Sequence, residues 1–380
     1  MRRFKRTLVA AALATSVMAG TAGWAAGSRQ AAVTGPPAGT AAWRADRSLH
    51  RQLPDPATAP PAGVAAFFDS LTPARQHELA ARHPLVVGNL DGAPLPLRYE
   101  ANARAIAAER AAARARAADP SRPDRDRRAA REQADRCTRL LAPGRQILAF
   151  DPRGRGQLAE VYGDWAAARR TAVVVPGSDI DLTTFDRARD RYGTPAGMAG
   201  ALRAEMARQA PGTPGAVIAW AGYTTPVGLG PDAATGRLAQ AGAVRLERFL
   251  AGLRTPHAPA VFCHSYGSVV CGLAAHTLDA GEAADLVMLG SPGVRAGSAA
   301  GLRTGARVWA VRRNGEDWIG DVPHVRLFGL GHGADPTAAD FGARLVSSAG
   351  AHGHTGYFTP GSQSLRNLAG VALGSYTPER

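Results

Sequence analysis

Cysteine and lysine are scarce in this chain of 380 residues. It has three cysteines, Cys137, Cys263 and Cys271, and a single lysine, Lys5. So low and odd a cysteine number excludes a disulfide-stapled scaffold, and Cys263 and Cys271 lie in apolar runs typical of small buried side chains. No Cys or His pair has the spacing of zinc ligands. We therefore expect neither a metal nor another cofactor.

Acidic residues are fewer than basic ones, which gives a formal net charge of +14 and a pI of about 10.9. Nearly all of the basic charge is arginine, spread along the chain and often beside acidic residues, as in 122–128. No aromatic-basic platform or recognition motif accompanies it. The charge therefore does not favour nucleic-acid binding, and the 45% hydrophobic fraction is that of a globular protein.

The N-terminus has the pattern of an export signal. A basic start, Arg2 to Arg6, precedes an uncharged run rich in Ala, Leu and Val, Thr7 to Ser28, with small residues near Ala25. That run is also long enough to remain in a membrane as an anchor. We predict that residues 1–28 are a signal peptide or membrane anchor. The rest of the chain would then be secreted or held at the outer face of the cytoplasmic membrane.

Composition divides the remaining chain into three parts. Residues 29–63 are rich in Pro, Ala and Gly and are typical of a linker. Residues 64–142 have strong helix propensity, chiefly at 98–118 and 127–141, with a loop predicted at 84–96. Residues 143–380 alternate between short apolar runs and helical stretches. We predict a helical N-terminal segment followed by one large α/β domain.

The apolar runs of the last part predict eight strands. They are Gln146 to Phe150, Gln157 to Tyr162, Thr171 to Val175, Ala216 to Ala221, Ala258 to Cys263, Asp285 to Leu289, Arg307 to Val311 and Arg344 to Ser347. The first two lie around a turn and can form a hairpin. Helices are predicted between most of the others, notably at 235–253 and 266–278. Apolar strands alternating with helices indicate a mostly parallel sheet covered by helices on both faces.

Ser265 is the candidate nucleophile. It lies in Cys263-His264-Ser265-Tyr266-Gly267, directly after a buried strand and before a helical run. This is the strand, sharp turn and helix of a nucleophile elbow, in which the serine hydroxyl is exposed and its neighbours must be small. Cys263 stands where the usual Gly-x-Ser-x-Gly pattern has its first glycine. The side chain of His264 is expected to point away from the reacting face.

A nucleophilic serine needs a histidine base and an orienting carboxylate, which follow the serine in the order acid, then histidine. Asp317 comes just after the seventh strand, where active sites of parallel sheets lie, and is the preferred acid. His354, after the eighth strand, is the preferred base. Other residues after the seventh and eighth strands could fill these roles. The alternative acids are Glu316 and Asp321, and the alternative bases are His324, His332 and His352.

Two backbone N–H groups are needed to bind the oxyanion that forms during acyl transfer. One is expected from Tyr266, the residue after the nucleophile. The other is expected from the loop after the third strand, Pro176-Gly177-Ser178, with Ser178 as the preferred donor.

Motifs spread over most of the chain from Phe67 onward are similar to those of a known family, the actinobacterial α/β-hydrolases formerly grouped as DUF1023. The motifs are Val87-Gly88-Asn89-Leu90-Asp91-Gly92 with Arg98 and Asn102, Leu148-Ala149-Phe150-Asp151, Val174-Val175-Pro176-Gly177, Gly222-Tyr223-Thr224-Thr225-Pro226, His264-Ser265-Tyr266-Gly267-Ser268, Gly290-Ser291-Pro292-Gly293, Asp317-Trp318-Ile319, Asp340-Phe341-Gly342-Ala343 and Gly353-His354 with Tyr357-Phe358. The family usually has glycine in place of Cys263.

The resemblance implies an α/β-hydrolase fold with Ser265, His354 and Asp317 as the triad. The expected activity is a serine hydrolase that cleaves an ester or a related acyl bond of a small-molecule or lipid-like substrate. Membrane association through the N-terminal segment is compatible with this activity. A different hypothesis, motivated by Cys263 at the elbow, is a catalytically inactive binding protein of the cell envelope that keeps the fold.

Overall fold

The computed structural model describes residues 30–255, 257–279, 281–311, 315–327 and 329–377. The predicted signal or anchor, residues 1–28, lies outside these ranges. The α-helices are α1 (Thr40–Ala45), α2 (Pro61–Asp69), α3 (Pro73–Arg82), α4 (Pro84–Gly88), α5 (Leu95–Ala118), α6 (Asp124–Leu140), α7 (Pro195–Gln209), α8 (Pro231–Ala234), α9 (Arg237–Ala251), α10 (Gly267–Ala274) and α11 (Gln363–Leu373). The strands are β1 (Gln146–Asp151), β2 (Gln157–Tyr162), β3 (Arg170–Val175), β4 (Gly215–Ala221), β5 (Ala260–His264), β6 (Asp285–Leu289), β7 (Arg307–Val311) and β8 (Arg344–Val346). Short 3-10 helices lie at Arg191–Gly193, Ala300–Leu302, Trp318–Asp321, Ala339–Phe341 and Gly356–Phe358.

The strands form one eight-stranded sheet in the order β1-β2-β4-β3-β5-β6-β7-β8. Strand β2 is antiparallel to both of its neighbours, and all the other pairs are parallel. The chain goes from β3 to β4 on one side of β3 and then returns to place β5 on the other side. The strand order thus reverses between β3 and β5, and ligands of such sheets bind where the order reverses, outside the carboxyl ends of the strands.

The sheet is covered on both faces. Val174 and Phe262 point to a core shared with α5, α6, α7 and α11, whereas Val173 and Val261 point to a core shared with α9 and α10. The alternation follows from the period of two along a strand. All eight predicted strands are present, and the predicted architecture is confirmed. Helix α11, which was not predicted from the sequence, packs on the same face of the sheet as α5, α6 and α7.

The linker predicted over 29–63 is wrong for its described residues. They include α1, and Trp43 is fully buried with its indole N–H donating to the carbonyl of Pro54 at 2.7 Å. Trp43 packs with Val64 and Phe68 in a third core formed by the first helices. A composition rich in Pro, Ala and Gly hides this anchor, because a single tryptophan can bury a large apolar area.

The loop predicted over 84–96 is also wrong in part, since α4 occupies Pro84–Gly88 and α5 begins at Leu95. Proline is at the first position of α4 and at the second position of α5, where its fixed φ favours a helix start. Asn89, just after α4, fixes this region to the sheet. Its amide donates to the carbonyls of Leu85 and Phe150, both at 2.8 Å, and accepts the N–H of Phe150 at 3.1 Å. Strand β1 lies at the edge of the sheet, so Asn89 occupies the hydrogen-bonding positions that a further strand would use.

Asn89→Ala is expected to lower the free energy of unfolding by about 2–3 kcal/mol, because three hydrogen bonds of about 1 kcal/mol each are lost. Urea unfolding followed by circular dichroism measures the change. Glu78→Ala on the exposed side of α3 is the matched control and should change stability by less than about 0.5 kcal/mol. Equal stability of the two variants would contradict a structural role for Asn89.

Candidate functional site

Ser265 lies in a strained turn between β5 and α10. Its φ of 55° is in the left-handed region, which non-glycine residues rarely adopt, and its N–H donates to the carbonyl of Leu289 at 2.8 Å. The turn requires glycine at two neighbouring positions. A Cβ on Gly267 would lie 2.5 Å from the carbonyl oxygen of Val175, and one on Gly177 would lie 2.5 Å from the Cβ of Ser265. The elbow therefore depends on close approach of the β3 and β5 ends.

Cys263 and Cys271 form a disulfide, which corrects the expectation of unpaired cysteines. They are eight residues apart in sequence, yet the turn from strand to helix brings their Cα atoms to 6.4 Å. Cys263 in β5 and Cys271 in α10 are both buried in the core between the sheet and helices α9 and α10. The side chain at the usual glycine position is therefore accommodated in this core. Cys137 remains a free, buried thiol.

The structure brings Ser265, His354 and Asp317 into one hydrogen-bonded chain. His354 Nε2 lies 2.8 Å from Ser265 Oγ, and His354 Nδ1 lies 2.8 Å from Asp317 Oδ1. A carboxylate only accepts, so Nδ1 carries the proton and Nε2 is left to accept from the serine hydroxyl. In this tautomer the imidazole can remove the hydroxyl proton.

Asp317 is held by more than the histidine. Its Oδ1 also accepts the N–H of Ile319 at 3.0 Å, and its Oδ2 accepts the hydroxyl of the buried Tyr357. Burial by itself raises the pKa of Asp317, but the hydrogen bonds from His354 and Tyr357 outweigh it and the pKa lies below its ordinary value. The carboxylate is therefore charged at neutral pH.

His264 lies against the base, which corrects the expectation that it points away from the reacting face. Its Nε2–H donates to the carbonyl of His354 at 2.8 Å, and the two rings have centroids 4.8 Å apart. Burial, with a further contribution from nearby His354, lowers the pKa of His264 to about 3. A neutral His264 thus fixes the backbone of the histidine loop without adding a charge.

Sequence reasoning missed His264 and Tyr357 as members of the site. Tyr357 is three residues after His354, within a motif that the family resemblance includes, so a signal for it was present. His264 also lies in such a motif, directly before the nucleophile, but its contact with the distant residue His354 is made only in the folded chain.

The alternative bases and acids lie elsewhere. His332 Nε2 is 2.6 Å from the carbonyl of Ala233, in a contact between two loops, and His324 Nε2 is 3.2 Å from the carbonyl of Ser291. His352 is 77% exposed and pairs with exposed Glu316 at 3.3 Å. Asp321 is exposed at the end of a 3-10 helix.

The loop after β3 passes directly over the elbow. Gly177 abuts Ser265, and within the described residues the backbone N–H groups of Tyr266 and Ser178 have no acceptor in the protein. Tyr223 fixes the loop, since its hydroxyl donates to the carbonyl of Pro176 at 2.7 Å. Asp179, with a φ of 63°, completes the sharp turn.

The segment after β4 also supports this loop. Pro226 accepts the N–H of Asp179 at 2.8 Å, and the Thr225 hydroxyl donates to the carbonyl of Ile180 at 2.7 Å. The motif Gly222-Tyr223-Thr224-Thr225-Pro226 therefore acts as a support for the loop that carries Ser178. In the described part of the chain, no group of His, Cys, Asp and Glu side chains has an arrangement that can hold a metal ion.

Residues 151–327 match the model of a family described as alpha/beta hydrolase. The chain is also 30% identical over 383 residues to a protein described as uncharacterized in two strains of Mycobacterium tuberculosis. That alignment covers 85% of this chain, and the chain spans 57% of the length of these relatives.

This chain aligns with a crystal structure of 2,6-dihydroxy-pseudo-oxynicotine hydrolase at 12% sequence identity and a TM-score of 0.37. The alignment covers 91% of this chain and 96% of the hydrolase chain. The matched family and the mostly parallel eight-stranded sheet agree with the prediction from sequence. The fold of this chain is the α/β-hydrolase fold with an added N-terminal helical segment, and the family match supports a hydrolase activity in general terms.

Proposed function

We propose that this protein is a serine hydrolase that cleaves an ester or a related acyl bond through an acyl-enzyme intermediate. The observation that carries the proposal is the chain of two 2.8 Å hydrogen bonds from Asp317 through His354 to Ser265, at a serine held in a strained elbow. Strain of this kind is concentrated at functional sites because a packing role does not need it.

In the first half of the reaction, Ser265 Oγ attacks the acyl carbon while its proton passes to His354 Nε2. The imidazolium that forms is stabilised by the charged Asp317. The tetrahedral intermediate collapses when His354 returns the proton to the leaving alcohol, and the acyl group stays on Ser265. In the second half, water is deprotonated by His354 and attacks the acyl carbon, which releases the acid and restores the serine.

The oxyanion of each tetrahedral intermediate would accept hydrogen bonds from the N–H groups of Tyr266 and Ser178. Tyr266 follows the nucleophile at the start of α10, where the helix dipole also favours negative charge. The loop that carries Ser178 is held by Tyr223 and Thr225, so the donor needs little reorganisation during the reaction.

His264 and Tyr357 are positioning residues in this proposal. Tyr357 restrains the carboxylate on the side opposite His354, and His264 restrains the backbone of His354. Neither touches Ser265 Oγ by a hydrogen bond. They limit the rotation of the base and the acid, which is the usual role of groups that support a catalytic constellation.

Export and membership of the DUF1023 group complete the proposal. The buried Cys263–Cys271 disulfide supports export, since such bonds persist mainly outside the reducing cytosol. Among the residues that the structure describes, no helix is both long and apolar enough to cross a membrane. The export signal itself falls on residues 1–28.

Ser265→Ala is expected to reduce ester turnover by a factor on the order of a million and to abolish covalent labelling by a fluorophosphonate probe. The matched control is Ser375→Ala, an exposed serine after α11, which should keep wild-type turnover and labelling. Turnover by Ser265→Ala close to wild type would refute the mechanism. A folded wild-type protein that the probe does not label would favour the inactive binding protein instead.

His354→Ala is expected to reduce turnover about as much as Ser265→Ala, and the double variant should be no worse than either, because the two groups act as a unit. His352→Ala, two residues earlier and exposed, should change turnover by less than about threefold, which is under ~1 kcal/mol of transition-state free energy. Steady-state kinetics on a chromogenic ester measures both. An active His354→Ala together with an inactive His352→Ala or His332→Ala would move the base to that residue.

Stability is expected to fall on acidification because His264 is buried in its neutral form. Its folded pKa of about 3 lies below the unfolded value of about 6.5, so between these pH values the unfolded chain binds the extra proton. The free energy of unfolding should therefore decrease as pH falls, by at most about 1.4 kcal/mol per pH unit from this group.

The check is urea unfolding at several pH values in this window. His264→Gln keeps an amide donor for the carbonyl of His354 but does not titrate, so its stability should depend less steeply on pH than that of the wild type. His276→Gln, at an exposed position, is the control and should keep the wild-type slope. Parallel slopes for His264→Gln and the wild type would contradict a neutral, buried His264.

A further inference from the structure

The exposed large hydrophobic side chains of the described residues are concentrated at one place. Two segments, 222–230 after β4 and 318–330 after β7, carry all but one of them. The exception is Val244 on α9. We call the other six residues the apolar rim: Val227, Leu229, Trp318, Val325, Leu327 and Leu330. Leu229 is 70% exposed and Leu327 is 63% exposed, although folded proteins seldom leave such side chains clustered in water.

The apolar rim lies beside the nucleophile. The ring of Trp318 has its centroid 4.6 Å from that of His354. On the other segment, the carbonyl of Pro226 accepts the N–H of Asp179, next to the proposed oxyanion donor Ser178, at 2.8 Å. Both segments leave carboxyl ends of parallel strands, which puts them at the same edge of the sheet as Ser265.

The two segments are joined to each other. Gly331 N–H donates to the carbonyl of Ala234 at 2.9 Å, and His332 Nε2 lies 2.6 Å from the carbonyl of Ala233. Ala233 and Ala234 belong to α8, which follows the first segment directly. The apolar side chains therefore belong to one connected border of the site.

Two arginines without a carboxylate partner in the described part of the chain lie at the apolar rim. Segment 222–230 has no charged residue, and Arg326 lies between Val325 and Leu327. Arg295 reaches the same loop, where its guanidinium donates to the carbonyl of Gly329 at 3.2 Å. Neither arginine has a carboxylate partner among the described residues, although most ion pairs elsewhere in the chain involve arginine.

Two further observations bear on this charge. Burial lowers the pKa of Arg295, and the charge of Arg326 lowers it further, which indicates that the two cations lie close together. The acidic residues at the rim are Asp321, at the end of the 3-10 helix of the second segment, and Asp179, whose Oδ1 accepts the N–H of Gly228 at 2.8 Å, and neither pairs with these arginines. An apolar surface that carries two arginines without carboxylate partners in the described ranges is complementary to an anionic lipid surface.

We propose that the apolar rim docks on an anionic lipid–water interface and that the acyl substrate is an ester of a lipid held in that interface. This inference rests on the proposed serine hydrolase function and names its substrate class. Leucine side chains would enter the acyl boundary, Trp318 would lie at headgroup depth, and Arg295 and Arg326 would face the anionic headgroups. The ester carbonyl would then reach Ser265 without leaving the interface.

Fluorescence of Trp318 tests the docking directly. The full chain is mixed with vesicles of brominated phosphatidylglycerol, whose bromine quenches a tryptophan that enters the lipid. Trp43, Trp165, Trp220 and Trp309 are buried, and the contribution of Trp318 is obtained as the difference between the wild type and Trp318→Phe. This difference also removes any quenching of Trp24, which lies outside the described residues. We expect strong quenching of Trp318, and much less on vesicles of neutral phosphatidylcholine.

The variant for the apolar rim is Leu229→Ser combined with Leu327→Ser, and the matched control is Val244→Ser, which changes a 63% exposed side chain outside the rim. Burial of one leucine contributes roughly tenfold or more to partitioning. The double variant should therefore need at least about tenfold more lipid for half-maximal quenching. Val244→Ser should match the wild type. Arg326→Gln should reduce the preference for anionic over neutral vesicles.

Kinetics separates this inference from the proposed function. The leucine double variant and Arg326→Gln should hydrolyse a soluble short-chain ester at the wild-type rate, while the leucine double variant should hydrolyse a lipid ester in vesicles about tenfold more slowly. Soluble ester hydrolysis without quenching of Trp318 would overturn the docking alone. Quenching without any hydrolysis, and without labelling of Ser265, would overturn the proposed function and this substrate assignment, leaving only a lipid-binding surface.

Two other results would also overturn the docking. Equal loss of quenching in Val244→Ser would show that the apolar rim is not the contact. Analytical ultracentrifugation without lipid tests for a dimer. If the wild type is a dimer, the leucine double variant dissociates it and vesicles do not quench Trp318, the apolar rim binds a second copy of this chain instead.

Discussion

The positive φ of Ser265 is the constraint from which most of the site follows. A serine held at 55° directs its hydroxyl to His354 at the end of β5, and the turn is tight enough that the backbone of β3 approaches it closely. Glycine is required at positions 177 and 267 because a Cβ at Gly177 would overlap Ser265 and one at Gly267 would overlap the backbone at the end of β3. The same approach brings the proposed oxyanion donors Ser178 and Tyr266 beside the hydroxyl. The local strain is sustained by the sheet, whose parallel strands β3 and β6 fix the strand β5 that leads into the turn.

The base and the acid reach this elbow from distant parts of the sequence, and their position depends on a network of hydrogen bonds among buried groups. Asp317 is charged because His354, Tyr357 and a backbone N–H all donate to it. His264 is neutral because it is buried beside another imidazole, and it uses its one donor on the backbone of His354. Partly satisfied networks are costly in a low-dielectric interior, so the satisfaction of each member stabilises the arrangement of the others.

The rest of the chain covers the β1 edge of the sheet but leaves apolar side chains exposed at the carboxyl ends of the strands. At the β1 edge, the N-terminal helices cover the strand, and Asn89 hydrogen-bonds both the N–H and the carbonyl of Phe150 in it. At the carboxyl ends of the strands, long connections leave apolar side chains in water around the nucleophile. The first arrangement protects the fold from edge pairing, and the second places exposed apolar side chains beside the site.

The sequence by itself determined the strands, the two-faced α/β architecture and the elbow, because these depend on local periodicity and on a turn chemistry that neighbours in sequence supply. It also identified Asp317 and His354 as the preferred partners of Ser265, since chain order and strand ends limit the candidates. The tertiary structure decided what depends on long-range packing. The pairing of Cys263 with Cys271, the burial of Trp43 and the contact of His264 with His354 each depend on how separate segments meet. Composition and periodicity carry no information on such contacts between distant segments, because the free energy that selects the contacts comes from burial and hydrogen bonding in the whole fold.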